Sequence, residues 1–444
     1  SRCFFLHGPA GTGKTFVYNT IANYFRSQSQ IVLCVASSGI AALLLVGGRT
    51  SHSRLKIPLQ LHETSTCNVT PGSALGVLLY NTALIIWDEV PMQHRHCFEA
   101  VDRVLRDIRR QDTLFGGIPV IFGGDFAQIA PVIKRADRSQ IVDASIRQSY
   151  IWDETDVIHL RVNMRVRGTS SNDAHFKDWL YRMTYSPEMQ NKSIPLPHYI
   201  YNTSSLNNLI ERVYPMVVLS DALNSSQRLY KSAILTTRND TADELNGKIL
   251  DSMPGTILHL LSADEAVTSP TDGVDELFQI SPEYLQTLNP NNFPPARLSL
   301  KVGCIVMLLR NINAEAGLCN GTRLMIKEIG SYVLKVAVLK EINSEVEQIE
   351  MIPRITLDTM EDDYPFILRR TQFPVKLSFA MTINKSQGQS LQYVGIDMRY
   401  PVFSHGQLYV AMSRSTRVDK IYVLHPEEAI GNKVENIVYP ELLL

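Results

Sequence analysis

The sequence predicts an α/β fold of two parallel-sheet domains, each carrying an insertion. Three observations predict it. Short apolar runs alternate with amphipathic stretches over residues 1–160, the same alternation begins again near Ala233, and a turn-rich all-β stretch interrupts the second series. Strands alternating with helices indicate a parallel sheet covered on both faces. The division this suggests is 1–160 for the first domain and 161–444 for the second.

In the first series the expected strands are Cys3 to Leu6, Ile31 to Ala36, Ala83 to Trp87, Pro119 to Phe122 and Val157 to Leu160. Helical periodicity separates them at Phe16 to Arg26 and Phe98 to Arg109. Residues 47–76 are rich in Ser, Thr, Gly and Pro and read as a small insertion between two sheet strands. Asn191 to Asn208 reads as a polar loop. The second series opens with a strand at Ala233 to Thr236 and a helix at Thr241 to Leu250. Residues 262–295 carry much Pro, Ser and Asn, a poor composition for a core. A β-rich block follows over about 298–374, with strands at Cys304 to Leu309, Arg323 to Glu328, Tyr332 to Leu339 and Glu347 to Ile355. Asn320-Gly321 is a tight-turn signal within it, and a small barrel is the expected form. The α/β rhythm resumes at Val375 to Ala380, Val394 to Asp397 and Ile421 to Leu424.

The chain has 444 residues, and at ~150 residues per domain about three domains are expected. An apolar fraction of 45% excludes wholesale disorder. Basic and acidic residues nearly cancel, 43 against 44, whereas a protein living on phosphate contacts is usually basic. Any positive surface is therefore expected to be confined to a groove. The six cysteines form no C-x-x-C pair, which argues against a zinc or dithiol centre and fits a reducing compartment. No apolar run approaches the ~18 residues that span a bilayer, so no membrane partner is expected. The first strand starts within a few residues of Ser1, and the expectation is either a fragment of a longer polypeptide or a trimmed natural start.

Gly8-Pro9-Ala10-Gly11-Thr12-Gly13-Lys14-Thr15 matches G-x-x-x-x-G-K-[ST] in full, after an apolar strand and before a helix. Its glycines let backbone N–H groups wrap phosphates, and the helix N-terminus adds partial positive charge. Lys14 would reach the β- and γ-phosphates of ATP, and Thr15 would offer its hydroxyl to Mg²⁺. Ile85-Ile86-Trp87-Asp88-Glu89 is an apolar strand ending in two carboxylates. Asp88 would hold Mg²⁺, directly or through water, and Glu89 would orient and deprotonate the attacking water. A kinase, whose acceptor is not water, has no need of that Glu. Phe122 to Gln128 follows the next strand, and Gln128 could hydrogen-bond the γ-phosphate; an ordinary strand-to-loop turn is the alternative for Gly123-Gly124-Asp125. Ala380 to Ser390 is dense in small polar side chains, and Thr382, Lys385, Ser386, Gln387 and Gly388 could hold phosphates. A solvated loop is its alternative.

In order along the chain stand GPAGTGKT, ASSGIAA, GRTSHSRL, IIWDEVPM, FGGDFAQIAPV, NMR, INKSQGQSL and YVAMSRS. Together they resemble the PIF family of superfamily 1 DNA helicases over nearly the whole chain. Trp87 before Asp88-Glu89, the phrase from Leu298 to Leu324 and the tail NKVENIVYPELL narrow the resemblance to the branch encoded by Helitron transposons. Asn384, where many relatives have His, fits that branch. Arg182 to Ser186 stands where the family usually shows a glycine-containing turn. The resemblance also includes an adenine-binding glutamine segment upstream of the first strand, which this sequence does not contain.

The resemblance implies two RecA-like P-loop domains, with a small strand-separation element at 47–76 and an SH3-like β-barrel at 298–374. It implies ATP-dependent movement 5′ to 3′ on single-stranded DNA, with ATP and Mg²⁺ as cofactors. Lys14, Thr15, Asp88, Glu89, Gln128, Arg165 and Arg414 would surround the nucleotide. DNA would lie on Ser37, Ser38, Thr50, His52, Thr382, Lys385, Ser386 and Gln387. Arginine suits the charge spread over a transferring phosphoryl group, but the case for Arg165 and Arg414 comes from the resemblance alone. It further implies forked duplex DNA as a substrate, a monomeric motor, a replication-initiator nuclease elsewhere in the parent polypeptide, and a nuclear location.

Two rival classes remain open. A GTPase would need N-K-x-D, and neither Asn191-Lys192-Ser193-Ile194 nor Asn384-Lys385-Ser386-Gln387 supplies the Asp; a single-domain kinase would leave the second α/β half unexplained. A DNA-binding module without catalysis is the other rival.

Overall fold

A computed structural model describes residues 2–166, 170–267, 280–290, 292–340, 347–359, 364–426 and 432–444. Part of the Pro-, Ser- and Asn-rich stretch at 262–295 lies outside them. The chain forms two compact units: Ser1–Leu209, Leu235–Arg238 and Thr382–Leu444 make up one, and Ile210–Ile234 with Asn239–Met381 the other.

The first unit is built on a six-stranded sheet: β1 (Cys3–His7), β2 (Ile31–Ala36), β3 (Arg49–Thr50), β4 (Thr82–Asp88), β5 (Val120–Gly124) and β6 (Thr155–His159). Their order is β3-β2-β4-β5-β1-β6, and every pairing is parallel. The strands β1, β2, β4 and β5 are near-continuous apolar runs because both faces are covered, whereas the edge strands β3 and β6 are short or polar. Trp87 is fully buried in β4 and packs against Phe98 with ring centroids 4.7 Å apart. Helix α1 (Lys14–Ser27) covers one face through Tyr18 and Ala22, spaced i, i+4. Its N-cap, Gly13, is left-handed at φ 89°, and its first turn carries no acidic residue, as an anion-facing helix start requires. The helix Arg95–Arg109 buries Phe98, Val101, Leu105 and Ile108 along one stripe.

The parallel sheet expected in the second series has the order Ala380–Thr382, Ser232–Thr236, Tyr393–Asp397, Ile421–Leu424, Tyr201–Thr203. The last three strands pair in parallel. The chain crosses from one unit to the other within Ser232–Thr236 and within Ala380–Thr382.

The second unit holds the β-rich block. Its five-stranded antiparallel sheet runs Ile349–Pro353, Val333–Val338, Arg323–Ile329, Ile305–Leu308, Val375–Leu377. A three-stranded sheet joins Ala263–Val267, Ile367–Gln372 and Ile355–Asp358. Asn320 and Gly321 form the centre of a turn in which Thr322 N–H donates to the Cys319 carbonyl at 3.0 Å, and Gly321 takes φ 93°, the type II pattern. Inside this unit Arg370, fully buried, makes a bidentate pair with Asp264 at 2.9 and 2.7 Å. Two more of its N–H groups donate to the carbonyls of Pro294 and Leu285.

Four expectations change. Arg49–Thr50 is a sheet strand, so the insertion expected at 47–76 starts only after it and lies between β3 and β4. The supposed loop Asn191 to Asn208 contains Lys192–Pro195, paired with Lys433–Asn436, and Tyr201–Thr203; these strands are too short and too polar to show alternation. The run Glu347 to Ile355 breaks at Arg354 into strands of different sheets. Val375 to Ala380 divides likewise, because a continuous apolar run does not specify its partner. The helix Ser171–Tyr185 continues through Arg182 without a turn, and the Tyr185 hydroxyl faces His7 Nε2 at 3.4 Å. Among the described residues no helix is long and apolar enough to cross a membrane.

Candidate active site

The carboxyl ends of β1, β4 and β5 lie side by side, where an open α/β sheet binds its ligands. The loop Gly8 to Gly13 leaves β1, and Gly8 N–H donates to the Gly124 carbonyl at the end of β5. Gly11 and Gly13 take φ 82° and 89°, which a side chain would strain. The Lys14 ammonium folds over the loop onto the carbonyls of Gly8 (2.5 Å) and Pro9 (3.4 Å). Thr15 follows in the first turn of α1. Pro9, Ala10 and Thr12 complete the cradle, with Thr12 Oγ1 donating to the Pro9 carbonyl.

Asp88 and Glu89 end β4, both buried. Glu89 takes the left-handed conformation at φ 54°, a strained position for a carboxylate residue and of a kind that collects at functional sites. Its N–H donates to Asp88 Oδ1 at 2.8 Å. Burial, then the charge of Glu89, pushes the Asp88 carboxyl well above the usual carboxylate range, and Lys14 opposes the shift. A divalent cation beside Asp88 would reverse that cost. Among the described residues no group of three or more His, Cys, Asp or Glu could hold a metal. Thr15 and Asp88 would therefore hold Mg²⁺ together with phosphate oxygens and water, its usual arrangement.

Arg165 and Arg414 converge on the same place. Met164 N–H donates to the Gly11 carbonyl at 2.7 Å, and a Cβ on Gly11 would meet Arg165 Cβ at 2.3 Å. Arg165 Nη1 donates to the Ser413 carbonyl at 3.1 Å. Arg414, 1% exposed, donates to the carbonyls of Val410 and Gln389 and to Ser413 Oγ. Neither guanidinium has a carboxylate partner among the described residues, in contrast to Arg370 on Asp264. Burial lowers both arginine pKa values, and for Arg165 the like charge of Arg414 lowers it further. Arg414 is fully buried and Arg165 half-buried; both are held by neutral oxygens, while the charges of Glu89 and Asp125 oppose the lowering of both pKa values.

Gln128 is 3% exposed, and its Nε2 donates to Asp125 Oδ2 at 3.3 Å. Its Oε1 is buried and unpartnered. An unmet acceptor suits a water; a phosphate would be met by the amide's second N–H.

The residues expected on DNA divide into two kinds. Ser37, Ser38, Thr50, His52, Thr382 and Lys385 are half-buried and sit at strand ends, in the short helix Ser51–Leu55 (His52) and in the 3₁₀ turn Ile383–Ser386 (Lys385). Ser38 caps the helix Gly39–Leu44 by accepting from Ala41 N–H. Ser386 is fully buried, its hydroxyl donating to the Ile383 carbonyl, and Gln387 Nε2 donates to Glu89 Oε2 at 3.2 Å. Those two side chains thus lie inward, on the carboxylate side of the loop. A Cβ on Gly388 would sit 3.7 Å from Ala41 N, so the two loop sets are neighbours.

Sequence reasoning gave no role to four contributors. Gln93 joins Ser37, Ser51 and Trp87 through hydrogen bonds to its amide. Tyr409 and Asp125 are joined at 2.9 Å. Nothing in a single polar residue's spacing signals such a hub. Arg54, half-buried with an unpartnered Nε beside the charge of Arg49, adds positive potential next to Thr50 and His52.

Residues 1–192 match the family model of the PIF1-like helicase, and residues 283–329 match that of the DNA helicase Pif1, 2B domain; together they take in more than half of the chain. The ATP-dependent DNA helicase PIF1 of Danio rerio is 29% identical over 443 residues, 99% of this chain and 61% of that protein. The chain spans about three-fifths of the length of the curated relatives it matches. Among solved structures, Pif1 helicase from Candida albicans aligns with a TM-score of 0.69 at 22% identity, covering 99% of this chain and 93% of that one. Pif1 helicase from Bacteroides in complex with ADP-AlF3 and ssDNA aligns with a TM-score of 0.65 at 21% identity, covering 100% and 90%. Both structural likenesses are of the fold. The chain belongs to the PIF1-like helicase family.

Proposed function

We propose that the chain is the motor of an ATP-dependent DNA helicase that moves 5′ to 3′ on single-stranded DNA and opens forked duplexes. The observation that carries the reading is the meeting of Lys14, the Asp88-Glu89 pair, Gln128, Arg165 and Arg414 within one compact unit. Two guanidinium groups, one buried and one half-buried, with no direct carboxylate partner among the described residues, suit a γ-phosphoryl group whose charge grows in the transition state. Relatives named ATP-dependent DNA helicase, and a relative solved with ADP-AlF3 and ssDNA, support ATP as the cofactor and single-stranded DNA as the track, and Thr15 with Asp88 would hold the Mg²⁺ that accompanies ATP.

In this reading 1–160 is the first RecA-like motor and 161–444 the second, with the residues after Arg49–Thr50 and the β-rich block as their insertions. Trp87, Asn384, the phrase from Leu298 to Leu324 and the C-terminal tail favour the Helitron-encoded branch. A replication-initiator nuclease would then lie elsewhere in the parent polypeptide, and the motor would act as a monomer in the nucleus. The process served is transposition, with recombination, repair and telomere maintenance as the roles of a cellular family member.

The test is ATP turnover with and without single-stranded DNA, followed by unwinding of duplexes with a 5′ or a 3′ tail. Stimulation by single strands and unwinding from the 5′ tail are expected. Turnover without stimulation would leave an ATPase of another kind, and DNA binding without turnover would leave a binding module.

A further inference from the structure

The carboxylate of Asp125, fully buried at the end of β5, has three donors. Its Oδ1 accepts from Ala127 N–H at 3.1 Å, and its Oδ2 from Gln128 Nε2 at 3.3 Å and from the Tyr409 hydroxyl at 2.9 Å. The same hydroxyl accepts from Ala10 N–H, inside the phosphate loop, at 3.0 Å. Tyr409 has one hydroxyl proton and gives it to Asp125, so its oxygen is free to receive the Ala10 amide. One phenol therefore joins the phosphate loop, the Gln128 segment and the helix Gln407–Ser413, which ends at Arg414.

The helix is fastened to the Gln128 segment at two further points. His405 Nδ1 accepts from Tyr439 N–H at 2.9 Å, which leaves the proton on Nε2 to donate to the Phe126 carbonyl at 2.8 Å. A Cβ on Gly406 would come within 2.5 Å of the Ala127 carbonyl oxygen and 2.6 Å of that of Gln128, so only glycine permits this approach. The helix and the Gln128 segment thus move as one body. Its side-chain link to the phosphate loop backbone runs through Tyr409.

We propose that Tyr409 and Asp125 are positioning residues that hold Arg414 and Gln128 in register with the phosphate loop, so that nucleotide on the loop is sensed by both through a single hydrogen-bonded phenol. The inference rests on the ATPase reading above. Neither residue touches the phosphates; each acts by placing one that does. Networks of this kind in a dry interior are worth more than the sum of their bonds, and coupled residues lose additivity.

The experiment measures steady-state ATPase of the full chain with saturating single-stranded DNA, for wild type, Tyr409→Phe, Arg414→Ala and the double variant. Tyr409→Phe keeps the ring in its pocket and removes only the hydroxyl. It is expected to lower kcat by about tenfold or more while KM stays within about twofold. In the Arg414→Ala background it should cause a clearly smaller loss, the part that passes through Gln128, because the rest of its effect passes through Arg414. Additive losses, or an unchanged kcat, would overturn the proposal. If thermal melting shows Tyr409→Phe unfolded, Asp125→Asn, which keeps the side chain's shape and the Oδ1 acceptor, takes its place under the same expectations. A wild-type chain without ATPase would sink the motor reading and the relay with it; an active wild type with an unaffected Tyr409→Phe would sink only the relay.

Discussion

Gln387 donates from Nε2 to Glu89 Oε2 at 3.2 Å across 298 positions of sequence. Both side chains are buried, and Glu89 is held in a left-handed conformation. The bond aims the carboxylate that would take a proton from the attacking water. Gln387→Ala should therefore reduce DNA-stimulated turnover without weakening nucleotide affinity. Glu89→Gln should reduce turnover by ~10²-fold or more, the range typical of general base removal, with ATP still bound. Wild-type turnover by Glu89→Gln in a steady-state assay would remove Glu89 from the role of base.

Lys14→Ala should lower nucleotide affinity and abolish hydrolysis, since the ammonium held over Gly8 and Pro9 is the cradle's one positive side chain among Gly8 to Thr15. Titration with a fluorescent ATP analogue reads the first effect and phosphate release the second. Unchanged affinity would place the phosphates elsewhere.

Arg165→Ala and Arg414→Ala should each lower kcat by ~10³-fold, the scale of arginines that meet transition-state charge. ATP affinity should change less, because the loop supplies the ground-state contacts. Removing the buried Arg414 cation also removes its desolvation cost, and Arg165 is only half-buried, so neither variant is expected to melt at a much lower temperature. Full DNA-stimulated turnover by Arg414→Ala would assign the second half of the chain another role.

Asp88 carries a pH-dependent cost. Its folded pKa lies above the unfolded one, so the folded state binds the proton more tightly. The cost is absent in acid, where both states are protonated, and grows as pH rises from the ordinary carboxylate value towards neutrality. Asp88→Asn should therefore raise the melting temperature of the nucleotide-free protein at pH 7, with the gain over wild type vanishing towards pH 4. About 1 kcal/mol corresponds to roughly 2–4 °C in a domain of this size. Added Mg²⁺ and nucleotide should narrow the difference. A gain independent of pH would show that desolvation of the charge is not its source.

Asp264→Ala should destabilise the second unit by ~3–5 kcal/mol, the usual cost of leaving one member of a buried ion pair alone. Arg370 is fully buried and would keep only two carbonyl partners. Urea denaturation followed by far-UV circular dichroism measures it, because all three tryptophans lie in the other unit. An unchanged midpoint would show that the pair contributes no net stability.

What a local stretch of sequence determines is any feature whose cause is also local. The phosphate loop is legible because glycine at positive φ, a lysine and a hydroxyl must follow a strand and open a helix within a few residues. The strands β1, β2, β4 and β5 are legible because burial on both faces makes them continuous apolar runs. The short polar strands Lys192–Pro195 and Tyr201–Thr203 were not, since their pairing energy comes from partners more than two hundred positions away. The tertiary structure alone decided that Gln387 and Ser386 face inward, that Arg414 is buried without a carboxylate, and that Tyr409 joins Ala10 to Asp125. Each of those depends on which atoms meet a side chain from distant parts of the chain, and residue type records a capacity to bond, not the partner that meets it.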